Sequence, residues 1–262
     1  MENNKTLSEM LDTKRFKIVD SHCHLGPLGT FDIQDSGIDD MVSIMDSLNV
    51  EAMCIAPHLG LRLDCKRAND YTFEALTRYP ERFIGMGMVN PNREEEITGE
   101  LERCFDELKM TIIKLHPNES KCPMTRKSYQ KVYDFASERS LPILNHDWQS
   151  ADRVEKLAKK YPNVIFIQAH NGGNWSGKTE DPYFNLANDL DNFYIDICAS
   201  PICYGSLEKL LDKVSEDKIL YGSDTPFLNM AYGLSKVLMA DLDDDIKQKI
   251  LSSNFLKIIN RN

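Results

Sequence analysis

The sequence predicts a single-domain α/β protein folded as a (β/α)8 TIM barrel. Three observations predict it. Short apolar runs alternate with helical patterns eight times along the 262 residues. No linker, low-complexity stretch or composition shift divides the chain. The residues able to do chemistry gather at the ends of the apolar runs, as they do in a barrel whose active site occupies one face. A chain of this length with 42% hydrophobic residues can fill a large core. The domain is expected to span 1–262, with 1–14 as a polar extension.

The apolar runs are Phe16–Ser21, Val50–Pro57, Phe83–Asn90, Thr111–Leu115, Pro142–Asn145, Val164–Ala169, Phe193–Cys198 and Ile219–Gly222. They are short and rich in Ile, Val and Phe, which suits strands covered on both faces of a parallel sheet. Helical spacing fills the gaps between them. Met41, Ile44, Met45 and Leu48 fall at i, i+3, i+4 and i+7, with Asp39 placed to cap. Tyr129, Val132, Tyr133 and Ala136 repeat the pattern behind Thr125, and Leu207, Leu210, Leu211 and Val214 repeat it again. Asp243 to Ile259 closes the chain as a helix. Eight such units fit a closed barrel better than an open doubly wound sheet.

The bulk chemistry narrows the partners. A formal charge of −10 leaves no basic footprint for nucleic acid. No apolar run reaches the length of a membrane span, and the first residues carry no signal-peptide pattern. The seven cysteines are odd in number and form no CxxC pair, so reduced thiols and a cytoplasmic setting are expected. A small molecule is the expected partner; a homo-oligomer is left open.

The six histidines carry most of the functional signal. His22, His24, His58, His116, His146 and His170 all lie at or just beyond the ends of predicted strands. His22 and His24 are two apart on the first strand, so both imidazoles point to one side and Cys23 to the other. Two buried imidazoles need partners, and ligation of a cation supplies them. His146 ends strand 5 and Asp224, in YGSDTPF (221–227), ends strand 8 beside strand 1. A buried carboxylate there calls for a cation as well. His170 ends strand 6 before Gly172 and Gly173, which allow a sharp turn.

With His22, His24, His146, His170 and Asp224 in this order, the chain resembles the amidohydrolase superfamily. It looks most like the amidohydrolase-2 branch, which includes the aminocarboxymuconate-semialdehyde decarboxylase family and small lactonases. The matching stretches are IVDSHCHLG (18–26), NDYTFEALTRYPERFIGMGMVNP (69–91), TIIKLHP (111–117), AHNGG (169–173), YGSDTPF (221–227) and ILSSNFLKII (250–259). The resemblance implies one divalent, zinc-like ion held by His22, His24, His146 and Asp224, with His170 as acid/base. Three imidazoles and a carboxylate suit zinc and leave a position for water. Such an ion lowers the pKa of that water to about 7, and Asp224 would take its proton.

Lys114 departs from the simplest version of this pattern. It could be carboxylated and bridge two ions, with His146 and His170 on the second. Alternatively Lys114 and His116 contact an anionic substrate, or Lys114 pairs with a carboxylate. His58 and Trp148 are further candidates for substrate contact, with Trp175 a second aromatic wall and Arg62, Arg67 and Arg126 possible carboxylate clamps. The expected function is hydrolysis of a small lactone, amide or related carbonyl compound. The alternative is non-oxidative decarboxylation of a small unsaturated or aromatic acid. A TatD-type nuclease is disfavoured because Thr-Ile-Ile-Lys-Leu-His stands where that family carries a Glu ligand, and a non-catalytic metal binder has no use for both His170 and Asp224.

Overall fold

Each predicted apolar run contributes a strand at or beside its expected place. The computed structural model describes residues 6–29, 31–62, 64–170, 182–198 and 205–260. Its strands are β1 (Val19–Cys23), β2 (Ala52–Ile55), β3 (Phe83–Met88), β4 (Ile112–Leu115), β5 (Ile143–Asn145), β6 (Phe166–Gln168), β7 (Phe193–Asp196) and β8 (Ile219–Leu220). They form one parallel sheet in the order β1 to β8. Backbone bonds from Ser21 N to Tyr221 O (3.0 Å) and from Asp224 N to His22 O (2.9 Å) join the last strand to the first and close the barrel.

Strand alternation separates two cores. Ile113, Leu115, Ile143, Phe166, Phe193 and Ile195 pack against helix residues such as Met41, Val132, Val154 and Leu210. The opposite set, including Cys54, Met86, Ile112, Leu144, Ile167 and Leu220, packs on itself and on Phe255 and Ile258 of the last helix. The second set fills the barrel interior, so the barrel is a packed core and not a pore. Lys114 belongs by alternation with Ile112 to this interior, and it is 1% exposed.

Helix boundaries differ from the sequence expectation in local chemistry. The first long helix is Ile38–Leu48, and Asp40, not Asp39, closes its start by accepting from Gly37 N at 2.9 Å. Asp39 instead accepts from Arg78 and Tyr79 across the surface. Helix Tyr129–Arg139 begins without a side-chain cap, so Thr125 has no such role. The helix at Ser206–Leu211 ends before Val214, although Val214 is buried. The closing segment is a helix interrupted by one π-turn at Lys249–Ser253. Within the expected polar extension, Leu7–Leu11 forms a short helix and Leu11 packs on the core. No described helix is long and apolar enough to cross a membrane.

Candidate active site

β1, β7 and β8 meet at one corner of the barrel mouth, and that corner fixes the imidazoles of His22 and His24. The pairing of β1 with β2 shifts register between Asp20 and Cys23, which re-aims the end of the strand. His22 Nδ1 donates to Asp196 Oδ2 at 2.9 Å, and His24 Nδ1 donates to the Ala56 carbonyl at 2.6 Å. These bonds occupy Nδ1 of both rings and turn both Nε2 atoms inward, where each would offer its lone pair to a bound cation. Asp224 Oδ1 stands 3.1 Å from His24 Nε2 and 3.9 Å from His22 Nε2. Among the described residues, His22, His24 and Asp224 form a buried group of donors within 4.8 Å of one another. Two inward lone pairs, each braced from behind, and a carboxylate fit a divalent cation.

Lys114 enters the same corner from β4. Its Nζ donates to His22 Nε2 at 2.5 Å, placing an ammonium against the lone pair that a cation would use. The ammonium faces Asp224 and Asp196, and burial pushes its pKa down while those carboxylates oppose the shift. Burial and Lys114 together hold His22 neutral, its pKa well below the ordinary range. Burial raises the pKa of Asp224, but its neighbours, His24 foremost and then His22 and His170, outweigh burial and hold the carboxyl well below the ordinary range.

The β4, β5 and β6 side is organised differently, by histidines meeting one another. His146 Nδ1 donates to His170 Nε2 at 2.9 Å, and the His146 ring stacks on His116 with centroids 3.8 Å apart. The ligand atoms of His146 lie outside the three-donor group of His22, His24 and Asp224. His170 Nδ1 donates to the Cys198 carbonyl at 3.3 Å. Burial, then the neighbouring His22, lowers the His170 pKa to about 4, and burial with His170 lowers that of His146 to about 2. His170 and Asp224 both have left-handed backbones, with φ of 60° and 65°. Such conformations cost free energy in non-glycine residues and mark positions held by their surroundings.

The remaining predicted site residues divide. His58 is buried, donates from Nδ1 to the Gly26 carbonyl at 2.7 Å and stacks on His24 at 4.6 Å, so it braces a candidate ligand. His116 starts the short helix Pro117–Ser120, where its Nδ1 accepts from Glu119 N. Trp148 is a correction: it is fully buried, donates from Nε1 to the Ile167 carbonyl at 3.2 Å and packs edge-on against Phe166. Burial of its large apolar ring with the N–H satisfied makes it a core residue rather than a pocket wall. Arg62 pairs with Glu119, Arg67 with Asp64, and Arg126 donates to Asn92, all on the surface. Trp175, Gly172 and Gly173 lie outside the described residues.

The sequence reading missed Asp196, Cys198 and Asp20. Asp196 Oδ1 accepts from His170 N (2.9 Å) and Cys198 N (3.0 Å) while Oδ2 holds His22. Asp20 Oδ1 accepts from His22 N and Ser223 N, bridging β1 to β8, and burial raises its pKa to about 6. The available signal was an acidic residue inside an otherwise apolar strand run. Gly222 also matters, because a Cβ there would come within 2.9 Å of His22 Cβ and 3.0 Å of Cys198 Cβ. The six described cysteines are free and buried, as expected; Cys203 lies outside the described residues.

A profile of the amidohydrolase family matches residues 19–259. The chain belongs to the amidohydrolase family. It is similar to the 2-amino-3-carboxymuconate-6-semialdehyde decarboxylase of Dictyostelium discoideum, 22% identical over 296 aligned positions that cover 95% of this chain and 80% of that protein. A dihydroxybenzoic acid decarboxylase from Polaromonas, solved with manganese and 2-nitroresorcinol, superposes with a TM-score of 0.73 at 18% identity, over 93% of this chain and 97% of that one. A 5-carboxyvanillate decarboxylase from Novosphingobium aromaticivorans, solved with manganese and 4-hydroxy-3-methoxy-5-nitrobenzoic acid, gives 0.73 at 15%, over 93% and 96%. At these identities the solved structures bear on the fold. This amidohydrolase is an enzyme of that superfamily.

Proposed function

We propose that this amidohydrolase catalyses non-oxidative decarboxylation of a small aromatic or unsaturated carboxylic acid, with a divalent cation at His22, His24 and Asp224. The observation that carries the reading is the buried, charged corner itself. His22 is 0%, Lys114 1% and Asp224 6% exposed, so these side chains are shielded from solvent with an ammonium among them. Loss of CO2 consumes no water, and removing a carboxylate from solvent weakens its hydration. The named relatives, all decarboxylases, lend the reading independent support. This replaces hydrolysis as the preferred chemistry.

A bound divalent ion would act as a Lewis acid on substrate oxygens, and nitrogen and oxygen donors of this kind accept either manganese or zinc. The chain's own residues do the rest. Lys114 attracts the substrate anion. Breaking the bond to the carboxyl carbon releases CO2 and leaves an electron pair on the substrate carbon, which then takes one proton. His170 holds and delivers that proton beside ionised Asp224. His116, stacked on His146, offers a flat surface for a planar substrate on the opposite side of the mouth.

The test uses protein reconstituted with manganese or zinc and a panel of hydroxybenzoates and unsaturated acids in heavy water, with esters and lactones in parallel. One CO2 per acid consumed and one deuterium at the vacated carbon are expected. Turnover of lactones or esters without CO2 release from any acid would return the assignment to hydrolysis.

A further inference from the structure

Two sets of donors at the mouth share Asp224. The first is His22, His24 and Asp224. The second is His170, Cys198 and Asp224, whose ligand atoms also lie within 4.8 Å of one another, all buried. Cys198 reaches this place by construction. It lies two residues beyond Asp196, the last residue of β7, and its sulfur also falls within 4.8 Å of ligand atoms of Asp196 and His22. Asp196 Oδ1 ties the Cys198 and His170 amides together, and the His170 ring bonds the Cys198 carbonyl. Gly222 lets Cys198 close on His22 where any larger residue would hold them apart.

We propose that His170, Cys198 and Asp224 form a second, thiophilic metal site, and that its occupation inhibits the enzyme by engaging His170. A thiol among an imidazole and a carboxylate selects soft and borderline cations over hard ones. On binding, the sulfur–metal bond replaces the S–H bond and the proton passes to solvent. A cation held there takes the His170 Nε2 lone pair in place of the His146 N–H and so occupies the imidazole that the proposed function assigns to proton delivery. The site therefore lets zinc or cadmium in excess switch off an enzyme that the first equivalent of metal switches on. This rests on the proposed function only for the inhibition; the binding site stands on its own donors.

The experiment is titration of metal-free protein with Cd2+, read by equilibrium dialysis with elemental analysis and by the near-ultraviolet thiolate-to-cadmium absorption. Wild type, Cys198→Ser, Cys198→Ala and a distant control, Cys104→Ser, are compared, with circular dichroism to check folding. The expectation is two equivalents in wild type and Cys104→Ser, and one in both Cys198 variants, with the thiolate band lost only in the latter. In CO2-release assays with manganese at the first site, the second equivalent should inhibit Cys198→Ser at least tenfold less than it inhibits wild type, each measured against its own turnover before the second equivalent is added. One equivalent in every protein with no thiolate band overturns the second site but leaves the first intact. One equivalent in wild type, with a band that Cys198→Ser abolishes, assigns the thiol to a single shared ion and also overturns the second site. No binding in any variant overturns both sites. Two equivalents with a thiolate band but no loss of turnover overturns the inhibition and puts the role of His170 in doubt.

Discussion

The two sides of the barrel mouth hold imidazoles in opposite ways. At the β1/β7/β8 corner each ring is braced from behind by a carboxylate or a carbonyl, and its second nitrogen faces an ionised carboxylate. On the β4/β5/β6 side the rings face one another, His146 against His170 and His116 against His146. A braced lone pair beside an anion holds a cation. Neutral rings in series move protons or stack on a flat ligand. The same residue type thus serves two purposes, decided by what stands behind each ring.

The comparison can be broken or sharpened by experiment. Asp224→Asn removes the anion shared by both sides; metal stoichiometry by elemental analysis should fall well below one per chain, and kcat/KM should drop by about 10³-fold or more. His170→Gln should lower kcat by about 10²–10³-fold while the first equivalent of metal binds as before. An equal loss of metal affinity in that variant would erase the proposed division of labour. Asp196→Asn loosens the brace behind His22, and metal affinity measured by competition with a chelator should weaken by about 10–100-fold.

Acid provides a milder probe of the metal-free protein. His170 titrates near 4, and His58, lowered by burial and then by His24, near 3, against about 6.5 for exposed histidine. The unfolded chain therefore binds more protons below about pH 6.5, and stability falls as pH drops towards 4, by up to about 1.4 kcal/mol per pH unit for each such group. Asp20 works the other way. Its raised pKa of about 6 gives stability that is present at low pH and lost as pH rises through that value. The buried histidines outnumber it, so the melting temperature should decrease from pH 6.5 to 4, and a flat profile would mean that these rings are charged in the folded state. The smallest effect is expected at Trp148→Phe, which loses one buried hydrogen bond: about 1 kcal/mol in denaturant unfolding, with KM unchanged.

Much of this arrangement was legible in the sequence, for identifiable reasons. The strands could be read because both of their faces are apolar, and His22, His24 and Asp224 because strand ends at one barrel face converge. Asp196 and Cys198 were passed over because they interrupt an apolar run only briefly. The contact of Lys114 with His22 spans 92 residues and depends on a register shift, which a pattern along one strand cannot reveal. Trp148 follows a strand end, as a rim residue would, but its ring turns into the helix layer behind the sheet. Helix starts failed for a chemical reason: Asp39 and Asp40 are both plausible caps, and Arg78 draws the first away.

The backbone bonds that join β8 to β1 have a consequence for how the molecule is made. His22 and Asp224 are brought together by a seam between segments about 200 residues apart. Contacts so distant along the chain are slow to assemble, because the loop must close before they are rewarded. A partly folded barrel with seven strands in place would hold its histidines but lack the anion. A cation taken up at that seam would bind only the closed barrel and so act as its latch.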